Sequence, residues 1–132
     1  MSVVFLETSA LLRAVFDEAG GELVRRRLAG AQRILASRLL KLEAERALLR
    51  VSIDHPALAS RLPTLERELR GLWSHVDMLE MTRDLCELAG RIAPASRLRS
   101  LDAIHLATYR RVCELVPNVE LLSFDQRILD AA

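Results

Sequence analysis

Eighteen residues of the chain carry carboxylates, and four of them stand at places where a fold could gather them. Glu7 closes an uninterrupted apolar run, Val3-Val4-Phe5-Leu6, and is followed by Thr8, Ser9 and a helical pattern over Ala10, Leu11, Leu12, Ala14, Val15 and Phe16. Asp125 follows the last apolar stretch, Val119 to Phe124, in the equivalent place. Asp102 falls in the first turn of a helical pattern that Ser100 opens. Glu43 lies about one and a half turns into another, beside its apolar stripe. In open parallel sheets, ligands sit outside the carboxyl ends of the strands, where such positions converge. Carboxylates brought together repel one another. A divalent cation such as Mg²⁺ or Mn²⁺, which prefers oxygen ligands, removes that cost. The plainer role for an acid or hydroxyl before a helix is to cap it, worth about 1 kcal/mol.

The elements that must position these acids follow from apolar spacing. Val3 to Leu6 reads as a short strand buried on both faces. Gly20-Gly21 breaks the first helix, and a short helix, Glu22 to Ala29, carries Arg25, Arg26 and Arg27. Arg33 to Ser37 is a second strand, and Ser37 caps a long helix from Arg38 to Ile53. On that helix Leu39, Leu42, Arg46 and Leu49 share one stripe, and Leu40, Glu43, Ala47 and Arg50 the next. Pro56 starts another helix that runs to Ser74 and is kinked or split at Pro63. Val76 to Met81 alternates as a half-buried strand does, and Thr82 caps a helix carrying Leu85, Cys86, Leu88, Ala89 and Ile92. A basic loop, Pro94 to Arg99, leads to the Ser100 helix, which Ser100 caps; Pro117-Asn118 turns into the last strand, Val119 to Phe124. Strands and helices alternate throughout, which predicts a three-layer α/β/α sandwich around a central parallel sheet, a single domain over residues 1–132.

Composition narrows the function classes. Half of the residues (51%) are hydrophobic, enough for a core, and 28% are charged. No run of 18 apolar residues predicts a membrane span, and no secretory signal is evident, so a cytoplasmic location is expected. The net charge of +1 gives no global basic field of the kind that marks a strong nucleic-acid binder. Lys41 is the sole lysine, so 18 of 19 basic residues are arginines, a side chain suited to bidentate phosphate contacts; a G+C-rich genome gives the same bias. Cys86 and Cys113 lie on apolar helical patterns and are read as buried thiols.

Three stretches carry a family resemblance. Leu6-Glu7-Thr8-Ser9-Ala10-Leu11-Leu12 resembles the opening of PIN-domain ribonucleases, where an aspartate precedes Thr-Ser-Ala-Leu. Ser100-Leu101-Asp102-Ala103-Ile104-His105-Leu106-Ala107-Thr108 resembles their third acidic motif. Leu122-Ser123-Phe124-Asp125-Gln126-Arg127-Ile128-Leu129 resembles their closing motif, and Glu43 lies where the family carries its second acid. Size and pattern are most similar to the toxin of VapBC toxin–antitoxin pairs.

The resemblance implies a metal-dependent endoribonuclease with Mg²⁺ or Mn²⁺ held by Glu7, Asp102, Asp125 and, through water, Glu43. Ser9 and Ser123 would orient ligands or water, and Arg97, Arg99 and the Arg25–Arg27 run would hold the RNA backbone. A VapB-like antitoxin partner and a homodimer are implied as well. The departure is Glu7, where the family has aspartate: the extra methylene shifts the carboxylate by roughly 1.5 Å while Mg²⁺ demands near-ideal octahedral geometry. The alternative is therefore a catalytically weak or inactive PIN-like module that binds RNA or protein. A phospho-receiver domain also gathers acids at strand ends, but it needs a lysine after a late strand, and Lys41 lies early and in a helix. His105, three residues beyond Asp102 on the same helix face, is read as a partly buried histidine that hydrogen-bonds locally. Trp73 and Tyr109 suit core or rim packing as well as a partner surface.

Overall fold

The computed structural model describes residues 2–132. In chain order the elements are β1 (Val3–Leu6), α1 (Thr8–Val15), α2 (Gly21–Gly30), β2 (Arg33–Ser37), α3 (Arg38–Asp54), a 3-10 helix (Pro56–Arg61), α4 (Leu62–Trp73), β3 (Val76–Leu79), α5 (Arg83–Ala89), α6 (Ser100–Leu115), β4 (Val119–Leu122) and α7 (Gln126–Ala131). The four strands form one parallel sheet in the order β3-β2-β1-β4.

Side-chain alternation on the interior strands feeds two cores. Val4 and Leu6 of β1 and Ile34 and Ala36 of β2 face a cluster with Leu11 and Val15 of α1, Leu40, Ala44 and Leu48 of α3, and Leu65 and Leu69 of α4. Val3, Phe5 and Leu35 face the other way, onto Val112 and Tyr109 of α6. A third cluster joins Leu85 and Ala89 of α5 to Ala103 and Ala107 of α6. Helices therefore cover both faces of the sheet, which is the three-layer α/β/α arrangement expected from the alternation. Phe5, Leu6 and Leu40 are fully buried, each worth about 1.5–3 kcal/mol of transfer from water. Phe5 also meets Tyr109 edge to face, with ring centroids 5.6 Å apart. Trp73 packs at the margin of the first core. Both aromatics thus serve the interior.

The caps behave largely as expected. Ser37 Oγ accepts from the Leu39 N–H at 3.1 Å and Thr82 Oγ1 from the Leu85 N–H at 3.2 Å. The start of α6 differs by one residue: Arg99, not Ser100, occupies its cap position. Pro63 does split its segment, because a proline fits only the first turn of a helix, and α4 starts at Leu62. Strands β3 and β4 end two residues earlier than the alternation suggested, at Leu79 and Leu122. The two form the edges of the sheet, where pairing on one side only stops supporting the extended chain sooner. Helix α5 stops at Ala89, so Ile92 packs on the third cluster from the loop beyond it.

Three readings need correction. Cys86 and Cys113 are exposed free thiols. Each follows a buried neighbour, Leu85 or Val112, and one residue turns a helix by about 100°, enough to carry the next side chain out of the core. The buried face of α3 is Leu40, Ala44, Ala47 and Leu48 with Leu39, while Leu42 and Leu49 are 56% and 44% exposed. Finally, α1 begins at Thr8, earlier than the apolar pattern alone suggested, because Glu7 itself caps it.

Among the described residues, no helix is long and apolar enough to cross a membrane.

Candidate active site

Three of the four acids stand at helix N-termini on the carboxyl edge of the sheet. Glu7 caps α1, Asp125 caps α7, and Asp102 lies in the first turn of α6. The capping role and a site role are compatible here. Unpaired N–H groups and the helix dipole favour negative charge at such ends by about 0.3–1 kcal/mol each.

The register of the central pair builds the first group. Leu6 pairs with Leu122, and the Glu7 N–H continues the ladder to the Leu122 carbonyl at 3.0 Å. That sets Glu7 beside Ser123, 116 residues away in sequence. The Ser9 and Ser123 hydroxyls each donate to Glu7 Oε1 at 2.5 Å, and the Ser9 N–H donates to Oε2 at 3.0 Å. Ser9 Oγ in turn accepts from the Phe124 N–H at 2.8 Å, and Ser123 Oγ from the Asp125 N–H at 3.0 Å. Glu7 is only 5% exposed, so the longer side chain lies folded under a roof of hydroxyls. The Asp125 carboxylate accepts from the Arg127 and Ile128 N–H groups through Oδ1, at 2.9 and 3.4 Å.

A second group forms around Glu43. Thr8 Oγ1 donates to Glu43 Oε1 at 2.6 Å, and His105 Nε2 lies 2.5 Å from the same oxygen and 3.3 Å from Thr8 Oγ1. Burial pushes the Glu43 carboxyl up, but the bonds from His105 and Thr8 and the charge of His105 outweigh it, and the net shift is downward. Glu43 is therefore held as a carboxylate. His105 is 2% exposed. Its partners lie 62 and 97 residues away, so the expectation of a local hydrogen bond is corrected. Sequence reasoning missed this grouping because nothing in the spacing of Thr8, Glu43 and His105 announces it. The only signals were a hydroxyl directly after Glu7 and a histidine one turn beyond Asp102.

Asp102 belongs to neither group. Its side chain is 13% exposed, and its Oδ2 accepts from the Arg99 N–H at 3.4 Å and lies 3.5 Å from Arg99 Nε. Arg99 itself is largely exposed, as is Arg97. The second basic run is otherwise engaged: Arg25 pairs with Asp17 at 2.6 Å and donates to the Ala14 carbonyl, while Arg27 pairs with Glu120 at 3.2 Å.

The four acids present carboxylate oxygens at this edge, which suit a hard divalent cation. A carboxylate offers about four acceptor positions, and Glu7 uses three of them. Oε2 of Glu43 and Oδ2 of Asp125 have no hydrogen-bond partner among the described residues. Among those residues, no three of the acids, histidines or cysteines stand together as a ready-made cage. The set fits an ion held through one or two carboxylates with waters and a substrate phosphate, the usual habit of Mg²⁺, and does not fit an all-protein site.

Comparison with known proteins agrees with this architecture. The PIN domain family matches residues 4–132. The chain is 30% identical over 128 residues to Ribonuclease VapC45 of Mycobacterium tuberculosis, covering 97% of this chain and 88% of that protein. It is 31% identical over 132 residues to Ribonuclease VapC46 of the same organism, covering 100% and 92%. Ribonuclease VapC35, also from Mycobacterium tuberculosis, is 31% identical over 133 residues, covering 98% and 90%. With a parallel sheet of this order, acids at its carboxyl edge and a match along nearly the whole chain, the protein belongs to the PIN-domain family and stands with its VapC-like members.

Proposed function

We propose that the protein is a metal-dependent endoribonuclease that acts as the toxin of a VapBC-type pair. The observation that carries this reading is the set of acids at the helix N-termini on the carboxyl edge of a sheet whose relatives are named ribonucleases. Glu7, Asp102 and Asp125, no more than two of them on any one ion, would hold Mg²⁺ or Mn²⁺ together with waters, with Glu43 reaching it through water, and a bound ion would lower the pKa of a water and neutralise charge on the scissile phosphate.

The chain's own groups have separable tasks. Ser9 and Ser123 hold the Glu7 carboxylate in one orientation, which shortens the freedom that its extra methylene adds relative to aspartate. The same two hydroxyls tie the Glu7 loop to the Asp125 loop through the Phe124 and Asp125 N–H groups. Thr8 and His105 keep Glu43 ionised beside them. Arg99, next to Asp102, and Arg97 offer guanidinium groups to the RNA backbone, where each contact would position the strand without reading its sequence. The partner is a VapB-like antitoxin that covers the acidic edge, and the working form is a cytoplasmic homodimer.

The test is cleavage of total cellular RNA by purified protein with Mg²⁺, Mn²⁺ or EDTA. Discrete products in either metal, abolished by EDTA, support the reading. An absence of products in both metals, with protein shown free of any small partner, points instead to a binding module with a disabled first acid.

A further inference from the structure

We propose that His105 and Thr8 are positioning residues that fix Glu43 by one carboxylate oxygen and leave the other to work; this rests on the nuclease reading of the same edge. Both donors converge on Oε1, and Oε2 has no partner among the described residues. Glu43 is a quarter exposed, whereas His105 and Thr8 are 2% and 7% exposed, so the carboxylate is anchored from the interior and open on its other side.

The histidine is not explained by packing. Its Nδ1 is buried with no hydrogen-bond partner. Such an atom carries a penalty that an apolar side chain of the same shape would not. What offsets it is the bond at Nε2. With Glu43 Oε1 2.5 Å away and Nδ1 facing no partner, Nε2 is the ring nitrogen that donates. The ring is thus committed to one task through one nitrogen.

Topology gives the clamp its consequence. Glu43 sits on α3, in the layer packed on Val4 and Leu6, while His105 sits on α6, in the layer packed on Val3 and Phe5. Thr8 opens α1 directly after Glu7. The three residues join the two helical layers across the carboxyl edge of the sheet. Asp102 and His105 are three residues apart on α6 and share a face. A single rigid helix therefore carries one acid and holds the second, fixing their separation, and Thr8 links both to the turn that carries Glu7.

The test compares donors placed differently. Glutamine at 105 can set its amide N–H where Nε2 stands, and asparagine cannot reach; serine at 8 keeps the hydroxyl, and valine keeps only the shape. His105→Asn and Thr8→Val are expected to lower kcat by about 10- to 100-fold with KM changed less than about threefold, the usual size for a group that orients a working carboxylate. His105→Gln and Thr8→Ser should stay within about threefold of wild type. On a Glu43→Ala background, His105→Asn should add less than about twofold, because the carboxylate it positions is gone. Thermal midpoints supply a readout free of catalysis: the loss from His105→Asn should shrink on the Glu43→Ala background. The proposal is overturned if the kinetic and thermal losses are fully additive, or if His105→Gln is as damaging as His105→Asn. If the wild-type protein cleaves no RNA, the nuclease reading fails, and the thermal cycle alone still decides whether the clamp exists.

Discussion

Replacing Glu7 by glutamine should destabilise the fold, and the size of the loss follows from its partners. The carboxylate accepts three hydrogen bonds, two from hydroxyls on Oε1 and one from a backbone N–H on Oε2. Bonds to a charged acceptor contribute about 1.5–3 kcal/mol and neutral ones about 1 kcal/mol, so losing the charge costs about 0.5–2 kcal/mol per bond. The amide cannot restore all three. With its NH₂ toward Ser9, two donors face each other. With its NH₂ toward the hydroxyls, each serine must reorient while already accepting a backbone N–H. A total of about 2–3 kcal/mol is expected at this nearly buried position, a fall of roughly 6–10 °C in Tm for a domain of this size. Calorimetric melting at neutral pH without added metal measures it, with Ser123→Ala, which removes one bond to the carboxylate and the acceptor of the Asp125 N–H, expected to lose about 1.5–3 kcal/mol. The competing idea is that Glu7 is strained by repulsion from other acids, in which case removing its charge would stabilise the protein. An unchanged or raised Tm in Glu7→Gln would mean that repulsion, not hydrogen bonding, dominates at this carboxylate.

Further outcomes can be checked independently. Gly21→Ala should destabilise by more than about 2 kcal/mol, since a Cβ there would lie 2.3 Å from the backbone oxygen of Arg13. By contrast, Gly71→Ala in α4, with open space around it, should stabilise by about 0.5–1 kcal/mol in denaturant melts. Tyr109, the only tyrosine, should ionise near 12 in a spectrophotometric titration of the folded protein, because burial and its contact with Cys113 disfavour the phenolate. Its folded pKa is raised, so the stability it contributes is full below its unfolded value, about 10, and is lost as pH rises through about 12. Both cysteines should react with a thiol reagent in the native protein without denaturant.

The parts of the fold that could be read along the chain were those set by local rules. Four consecutive apolar residues with two valines identified β1 as an interior strand, and all four are buried. Ser37 and Thr82 were recognisable as caps because a short hydroxyl before an apolar-periodic segment has one good use. Alternation continues through Met81 and Phe124 past the ends of the edge strands because it says nothing about whether a neighbour pairs with them. The exposure of the two thiols is not legible along the chain because an apolar helix stripe is narrow, and a residue at its margin is decided by neighbours from other elements. In the candidate site, the positions of Glu7, Asp102 and Asp125 at strand ends and helix starts were legible. The bonds of Glu7 to Ser123, and of His105 and Thr8 to Glu43, were not, because they depend on strand register and on how α3 and α6 meet over the sheet.

The most direct test of the acidic edge as an RNA-cleaving site is single-turnover cleavage of one defined RNA in Mg²⁺ and in Mn²⁺. Wild type is compared with Asp102→Asn, whose fold should persist because its hydrogen bond to Arg99 is long and weak. Metal-dependent cleavage by wild type is expected, with a rate at least about 100-fold lower in the variant at an unchanged circular dichroism spectrum. Cleavage by Asp102→Asn at the wild-type rate would contradict it.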